Sequence, residues 1–228
     1  NTAERKIITV EDPIEYQLDG VNQIQVKPQV GLTFVNALRS ILRQDPDVIM
    51  IGEMRDSETA RIAVQSALTG HLVLSTLHTN DAAGAITRLL DMGVEDYLLT
   101  STVGAIVAQR LVRRLCPHCR TPHRPPPAIQ ALLQNESAMP AREIDTLYAP
   151  CGCTQCGGTG YDGRVAIHEL LSMTDALRQM VMNHDDAGVI AQAAVREGMR
   201  SMRQDGFAKA VAGITSIDEV LRVTQEIH

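Results

Sequence analysis

The sequence is poor in aromatic residues. They make up 3% of its 228 positions, and Trp is absent altogether. The core is therefore expected to be aliphatic and rich in methionine, of which there are 9. No apolar run approaches the roughly 18 residues of a membrane-spanning helix, which argues against direct insertion into a bilayer. Positive charge is in deficit: 21 Lys and Arg face 27 Asp and Glu, for a formal net charge of −6. That balance, with no basic stripe interleaved with aromatics, argues against a nucleic-acid partner. The opening residues, Asn1 to Lys6, are polar and unlike a signal peptide, so a cytoplasmic setting is expected. One further absence bears on chemistry. No Gly-x-x-x-x-Gly-Lys-Ser/Thr loop, the backbone cradle that holds β- and γ-phosphates, occurs anywhere in the chain.

What is present is a set of three apolar runs, each ending in a residue suited to phosphate chemistry. Ile7-Ile8-Thr9-Val10 runs into Glu11 and Asp12, Val48-Ile49-Met50-Ile51-Gly52 into Glu53, and Leu72-Val73-Leu74-Ser75-Thr76-Leu77 into His78. Short runs rich in β-branched residues read as buried strands of a parallel sheet. Open parallel sheets bind ligands beyond the carboxyl ends of their strands. The fold class is therefore α/β, with two carboxylates and a histidine expected on one rim.

The segments between support this. Thr33 reads as the N-cap of a helix carrying Phe34, Leu38, Ile41 and Leu42, which Asp45-Pro46 stops. Helices are expected from Glu58 to Leu68, from Ala82 to Met92, and from Tyr97 to about Leu115. Val21 to Val26 reads as a hairpin strand. Beyond residue 115 the composition changes. Arg120 to Pro127 is proline-rich and reads as a stiff linker, and residues 128–150 hold one short amphipathic helix at most. Val165 to Ile167 is strand-like. From about Thr174 the chain reads as helical, and Ser216 with Glu219 forms a capping box for the last helix. These shifts mark three segments: a core over 1–115, a cysteine-bearing subdomain over 116–170, and a helical subdomain over 171–228.

All five cysteines fall between positions 116 and 156. Cys116-Pro117-His118-Cys119 and Cys153-Thr154-Gln155-Cys156 are two Cys-x-x-Cys pairs, and four thiolates satisfy tetrahedral Zn²⁺ with no open position, a structural rather than catalytic arrangement. Reduced free thiols or disulfides are the alternatives. Cys151 is the spare, and His118 is expected to face solvent.

At the strand tips, Glu53 stands where a carboxylate on the Mg²⁺ side would stand, since one such ligand suffices for that hydrated ion. Glu11 or Asp12 could orient or deprotonate an attacking water, and His78 could hydrogen-bond a terminal phosphate. Taken singly, each tip can equally be a turn residue, a helix cap or a structural histidine. Three on successive strands are harder to explain that way.

These motifs carry a family resemblance. Ile8 to Tyr16 resembles the Asp box of the secretion and pilus assembly ATPases, Asp47 to Asp56 their Walker B segment ending in Glu, and Gly70 to Asn80 their His box. The match continues through Ala108-Gln109-Arg110-Leu111-Val112-Arg113 and covers essentially the whole chain, which resembles the C-terminal motor domain of the type II secretion branch. The resemblance implies a RecA-like P-loop NTPase core, here without its P-loop strand, with a tetracysteine Zn²⁺ subdomain and a helical C-terminal region. It also implies Mg²⁺ and ATP as cofactors of the parent protein. By the same route Glu11 is the water-orienting acid, with Asp12 and Glu15 in its box, Glu53 is the Walker B carboxylate, and His71 and His78 are the His-box pair. Arg39, Arg43 and Arg55 could face a neighbouring subunit, or be solvated surface charges. The implied partners are further copies in a hexamer and the proteins of the inner-membrane secretion platform, which would place the motor at the cytoplasmic face of that membrane. Type IV pilus extension and a non-catalytic, zinc-stabilised interaction module remain alternatives. Without the phosphate loop, these residues alone are expected neither to bind ATP tightly nor to hydrolyse it. The phosphate-loop strand would lie beside the His-box strand, so without it the sheet is expected to show a bare apolar edge.

Overall fold

The computed structural model describes residues 1–136 and 145–224. Parts of the expected short helix within 128–150 and of the C-terminal helical segment lie outside these residues. The chain forms two compact units: residues 1–79, 83–104 and 173–190, and the described residues of 80–82, 105–172 and 191–228. These lines differ from the three segments read from composition.

The first unit is built on four strands: β1 (Ile7–Glu11), β2 (Asn22–Gln25), β3 (Val48–Ile51) and β4 (Leu72–Ser75). Their order is β2-β1-β3-β4, and every pairing is parallel. The registers are Ile8 opposite Ile49 and Ile49 opposite Val73, so the apolar runs align. Ile8, Val10, Ile49 and Ile51 are buried, with Leu38 and Ile41 of α1 (Phe34–Ile41) and Ala63 of α2 (Ser57–Leu68) in the same core. The two helices start as their caps dictate. Thr33 Oγ1 accepts the Asn36 N–H at 3.3 Å, and an Asp56 carboxylate oxygen accepts the Thr59 N–H at 2.8 Å. α3 (Ala82–Asp91), α4 (Asp96–Thr102) and α6 (Asp175–Met182) follow the sheet. β4 closes the sheet on one side, and its Leu72 and Leu74 are about half exposed.

Two expectations fail here. Residues 21–26 do not form a hairpin strand. β2 runs parallel to β1, because residues 12–21 carry the chain back along β1 instead of turning it tightly. Nor does the helix from Tyr97 reach Leu115. It ends at Thr102, and after Gly104 the chain becomes β5 (Ala105–Leu115). Burial in β5 alternates, with Ala108 and Val112 inside and Val107 and Leu111 outside, the period-two signature of a strand.

In the second unit β5 pairs antiparallel with β8 (Tyr161–Ser172), so the expected strand at 165–167 is the middle of a much longer one. The supposed linker is ordered. β6 (Thr121–His123) pairs with β7 (Leu147–Ala149), and Pro127 opens α5 (Pro127–Glu136), where its missing N–H costs nothing. Leu133, Leu147 and Phe207 pack with Ile217 and Val220, the latter three from α8 (Met202–Val211) and α9 (Ile217–Thr224). α7 (Ala187–Arg196) precedes them.

Buried carboxylates hold polar groups of this unit, Glu169 and Glu219 among them. Glu169 on β8 accepts the backbone N–H of Ala82 (2.8 Å) and of Met202 (3.0 Å). Glu219 is 2% exposed. Its carboxylate accepts the Arg113 N–H at 3.0 Å and the guanidinium groups of Arg113 at 2.7 Å and Arg222 at 3.0 Å. Only half of the expected capping box forms, since Ser216 Oγ accepts the Glu219 N–H but the Glu219 side chain turns to the arginines instead. Burial pushes the Glu219 carboxyl up. The hydrogen bonds from Arg113 and Arg222 outweigh it and pull it from 4.5 down to about 2.

A folded-state value below the unfolded one means stability that is complete above pH 4.5 and lost as pH falls towards about 2. Glu219→Gln is expected to cost about 3 kcal/mol at pH 7. It should also flatten the decline in thermal midpoint across that acid window, as melts of both proteins over the range will show.

Candidate active site and metal centre

The carboxyl rim of the parallel sheet is where the first unit gathers its functional side chains. Glu11 ends β1, Glu53 lies two residues beyond β3, and His78 follows β4. Gly52 lets the first two tips approach. Its N–H donates to Val10 O at 2.8 Å, and a Cβ there would lie 3.3 Å from both Glu11 Cα and Val10 O. Beyond the strand ends the chain stays tied, with Met54 N–H donating to Thr76 O (3.1 Å) and Thr76 Oγ1 to Gly52 O (2.6 Å). This returns His78 to Glu53, and His78 Nε2 lies 3.0 Å from Glu53 Oε2. The other oxygen of Glu53 pairs with Arg55. The Arg55 hydrogen bond, opposed by burial and reinforced by His78, holds the Glu53 carboxyl below its usual range. Arg55 is held more basic by Glu53, and by the charge of Asp12 to a smaller extent.

Glu11 is held separately. One carboxylate oxygen accepts from Thr9 Oγ1 at 2.5 Å and from Gln23 Nε2 at 2.9 Å. Gln23 also donates to Tyr16 O (2.9 Å) and accepts the Leu18 N–H (2.7 Å), which fastens the 12–21 segment over the end of β1. Sequence reading missed Gln23, because it faces Thr9 only when β2 is parallel to β1. Asp12 and Glu15 are exposed in that segment.

His71 is not brought to this rim. It precedes β4, at the opposite end of the strand from His78, and its Nδ1 lies 2.9 Å from Ser66 O and 3.1 Å from Thr69 Oγ1. Arg39 pairs with Glu58 at 2.6 Å between α1 and α2, with both side chains more than half exposed. Arg43 is exposed in the turn after α1.

The second unit holds the other centre. The Sγ atoms of Cys116, Cys119, Cys153 and Cys156 lie within 4.8 Å of one another. Three of their separations are 3.9, 3.9 and 3.8 Å. Zn–S bonds of about 2.3 Å in a tetrahedron require sulfurs about 3.8 Å apart, so the donor set fits Zn²⁺. Backbone N–H groups point at the sulfurs: Gly152 at Cys119 (3.3 Å), Cys153 at Cys156 (3.3 Å), and Gly160 at Cys156 (3.1 Å). The Cys153 and Gly160 N–H donors pull the Cys156 thiol down to about 6, while burial and the neighbouring thiols, against the Gly152 N–H, push Cys119 up to about 11. Gly152 adopts φ +100°, and a Cβ there would lie 2.5 Å from Gly158 O, so only glycine lets the two ends of the second Cys-x-x-Cys loop close on each other. His118 and Cys151 are exposed and stand outside the four.

A profile of the type II/IV secretion system protein family matches residues 1–222. The chain belongs to that family. It is 60% identical over 226 residues to type II secretion system protein E of Xanthomonas campestris pv. campestris, covering 99% of this chain and 40% of that protein. It is 51% identical over 226 residues to the type IV pilus assembly ATPase PilB of Thermus thermophilus, covering 99% of this chain and 25% of PilB. Among solved structures, the pilus retraction motor PilT with bound ADP superposes with a TM-score of 0.68 at 28% identity, over 96% of this chain and 52% of PilT. The α/β fold is thus that of RecA-like ATPases, and the chain spans less than half the length of these curated relatives.

Metal analysis of the purified chain is expected to find one zinc per chain. Cys153→Ser should release it and lower the thermal midpoint by roughly 10 °C or more.

Proposed function

We propose that this chain is the catalytic-rim portion of an ATPase motor that drives type II secretion, converting ATP and water into ADP and phosphate to power pseudopilus assembly. The observation that carries the reading is the Glu53 carboxylate, fixed between Arg55 and His78 on the same rim as Glu11. Phosphoryl transfer asks a protein mainly for positioning and charge stabilisation, and a rim of preset carboxylates with an adjacent histidine supplies both.

When bound, Mg²⁺ would neutralise the charge developing on the transferred phosphate. Glu53 would hold its water shell. Glu11, oriented through Thr9 and Gln23, would take the proton of the attacking water. His78, whose side chain is 87% exposed, would leave Glu53 for the terminal phosphate and return once it has gone. Arg55, paired with Glu53, would release it in the same step. Asp12 and Glu15 would border the nucleotide, and Arg39 and Arg43 would face a neighbouring subunit, while His71, at the other end of β4, takes no part at this rim. The phosphate loop is not among these 228 residues and would come from elsewhere in the motor.

We further read residues 116–170 as a zinc-held subdomain between a core over 1–115 and a helical segment over 171–228, docking the motor to the inner-membrane platform from the cytoplasmic side. Among the described residues no helix is long and apolar enough to cross a membrane. The working assembly would be a hexamer. The 51% identity to PilB favours type IV pilus extension as the second reading.

In the full-length protein Glu53→Gln is expected to lower ATP turnover by about 100-fold or more while nucleotide binding persists. Turnover near the unsubstituted rate would end the proposal. The 228 residues alone are expected to show none.

A further inference from the structure

The four-cysteine centre is flanked by contacts that none of its ligands makes. Arg113 stands three residues before Cys116, and its guanidinium lies 4.0 Å from the centroid of the Tyr161 ring. Tyr161 in turn follows Gly160, the residue whose N–H donates to Cys156 Sγ. On the other side Arg120 follows Cys119 and stacks 4.8 Å from the Tyr148 ring. Tyr148 lies on β7, from which the chain runs through Pro150 towards Cys153. Each stack therefore joins one flank of the first cysteine pair to one flank of the second.

A third segment grips both stacks. The turn at 213–216, which enters α9, accepts from Arg120 at Gly213 O and from the Leu115 N–H at Ile214 O (2.9 Å). Thr215 Oγ1 donates to Arg113 O at 2.7 Å, and the Tyr161 hydroxyl lies 2.9 Å from Ser216 Oγ. Gly213 has φ +69°, and a Cβ there would lie 2.7 Å from Tyr148 Cδ2 and 2.8 Å from Arg120 Nη1. Only glycine lets the turn come this close.

Four thiolates resist being gathered before an ion joins them, and Zn²⁺ with four thiolates keeps a net charge of about −2. Arg113 is already paired with Glu219, so what the stacks supply is geometry: they remove freedom that the two loops would otherwise lose on binding. We propose that Arg113–Tyr161 and Arg120–Tyr148, fastened by the 213–216 turn, are positioning pairs that preset the two Cys-x-x-Cys loops for a tetrahedral metal ion. The proposal rests on the reading of the four cysteines as a metal centre, and extends it to residues that touch no metal.

The test uses the full chain, with Zn²⁺ affinity from competition against a chelating dye and Co²⁺ absorption as the report of tetrahedral geometry. The unsubstituted protein should take up one ion. Failure to do so would overturn the metal reading itself, and the positioning pairs with it. Given uptake, Tyr148→Leu should weaken Zn²⁺ binding by about 10- to 100-fold and reduce the tetrahedral Co²⁺ bands. Tyr148→Phe keeps the ring face and should restore both. Affinity within twofold of the unsubstituted protein for Tyr148→Leu, with the same Co²⁺ spectrum, would overturn the positioning role while leaving the metal centre intact. If Tyr148→Leu does not fold, Arg120→Lys gives the same decision, because it keeps the charge but loses the planar guanidinium stack on Tyr148. Weakened binding supports the proposal, and unchanged binding overturns it.

Discussion

Parallel pairing of β1, β3 and β4 is the constraint on which the rim depends. Parallel strands all point their carboxyl ends the same way, so three residues far apart in sequence arrive at one edge without any loop having to find another. The burial of Ile8, Val10, Ile49 and Ile51 holds that pairing in register. A slip of one residue would turn these side chains to the other face, and Glu53 would no longer meet His78.

The second unit meets a different problem with different means. Strands from distant parts of the sequence must there be joined beside a cysteine centre. Buried charge and stacked cations supplement hydrophobic area there. Glu219 ties α9 to β5, Glu169 satisfies two backbone N–H groups at once, and the arginine–tyrosine stacks lie at the margins of the metal loops. Such groups are costly to bury alone and stabilising only as a complete set.

Much of the first unit was legible in the sequence because its signals are local. A β-branched run with an acid at its end announces a parallel strand, and Thr33 announces its helix. The Cys-x-x-Cys pairs likewise carried their own geometry. What escaped depended on distant partners. Residues 105–115 contain good helix formers, and only pairing with 161–172 makes them a strand. Asn22–Gln25 is a strand within the stretch read as one, but its direction is set by where the 12–21 segment delivers it. Gln23, and with it the fastening of Glu11, stayed hidden for that reason. Glu219 read as one half of a capping box, because nothing nearby reveals that Arg113 competes for it.

Gly52 carries a consequence for the rim as a whole. With its backbone seated against Glu11, the gap between the two acids is set by main chain rather than by rotamers. Even a methyl group there would act as a shim, asking the tip of β1 to give by a few tenths of an ångström while every acidic side chain stays in place. The protein would then keep all its reactive groups, with their spacing the one thing altered.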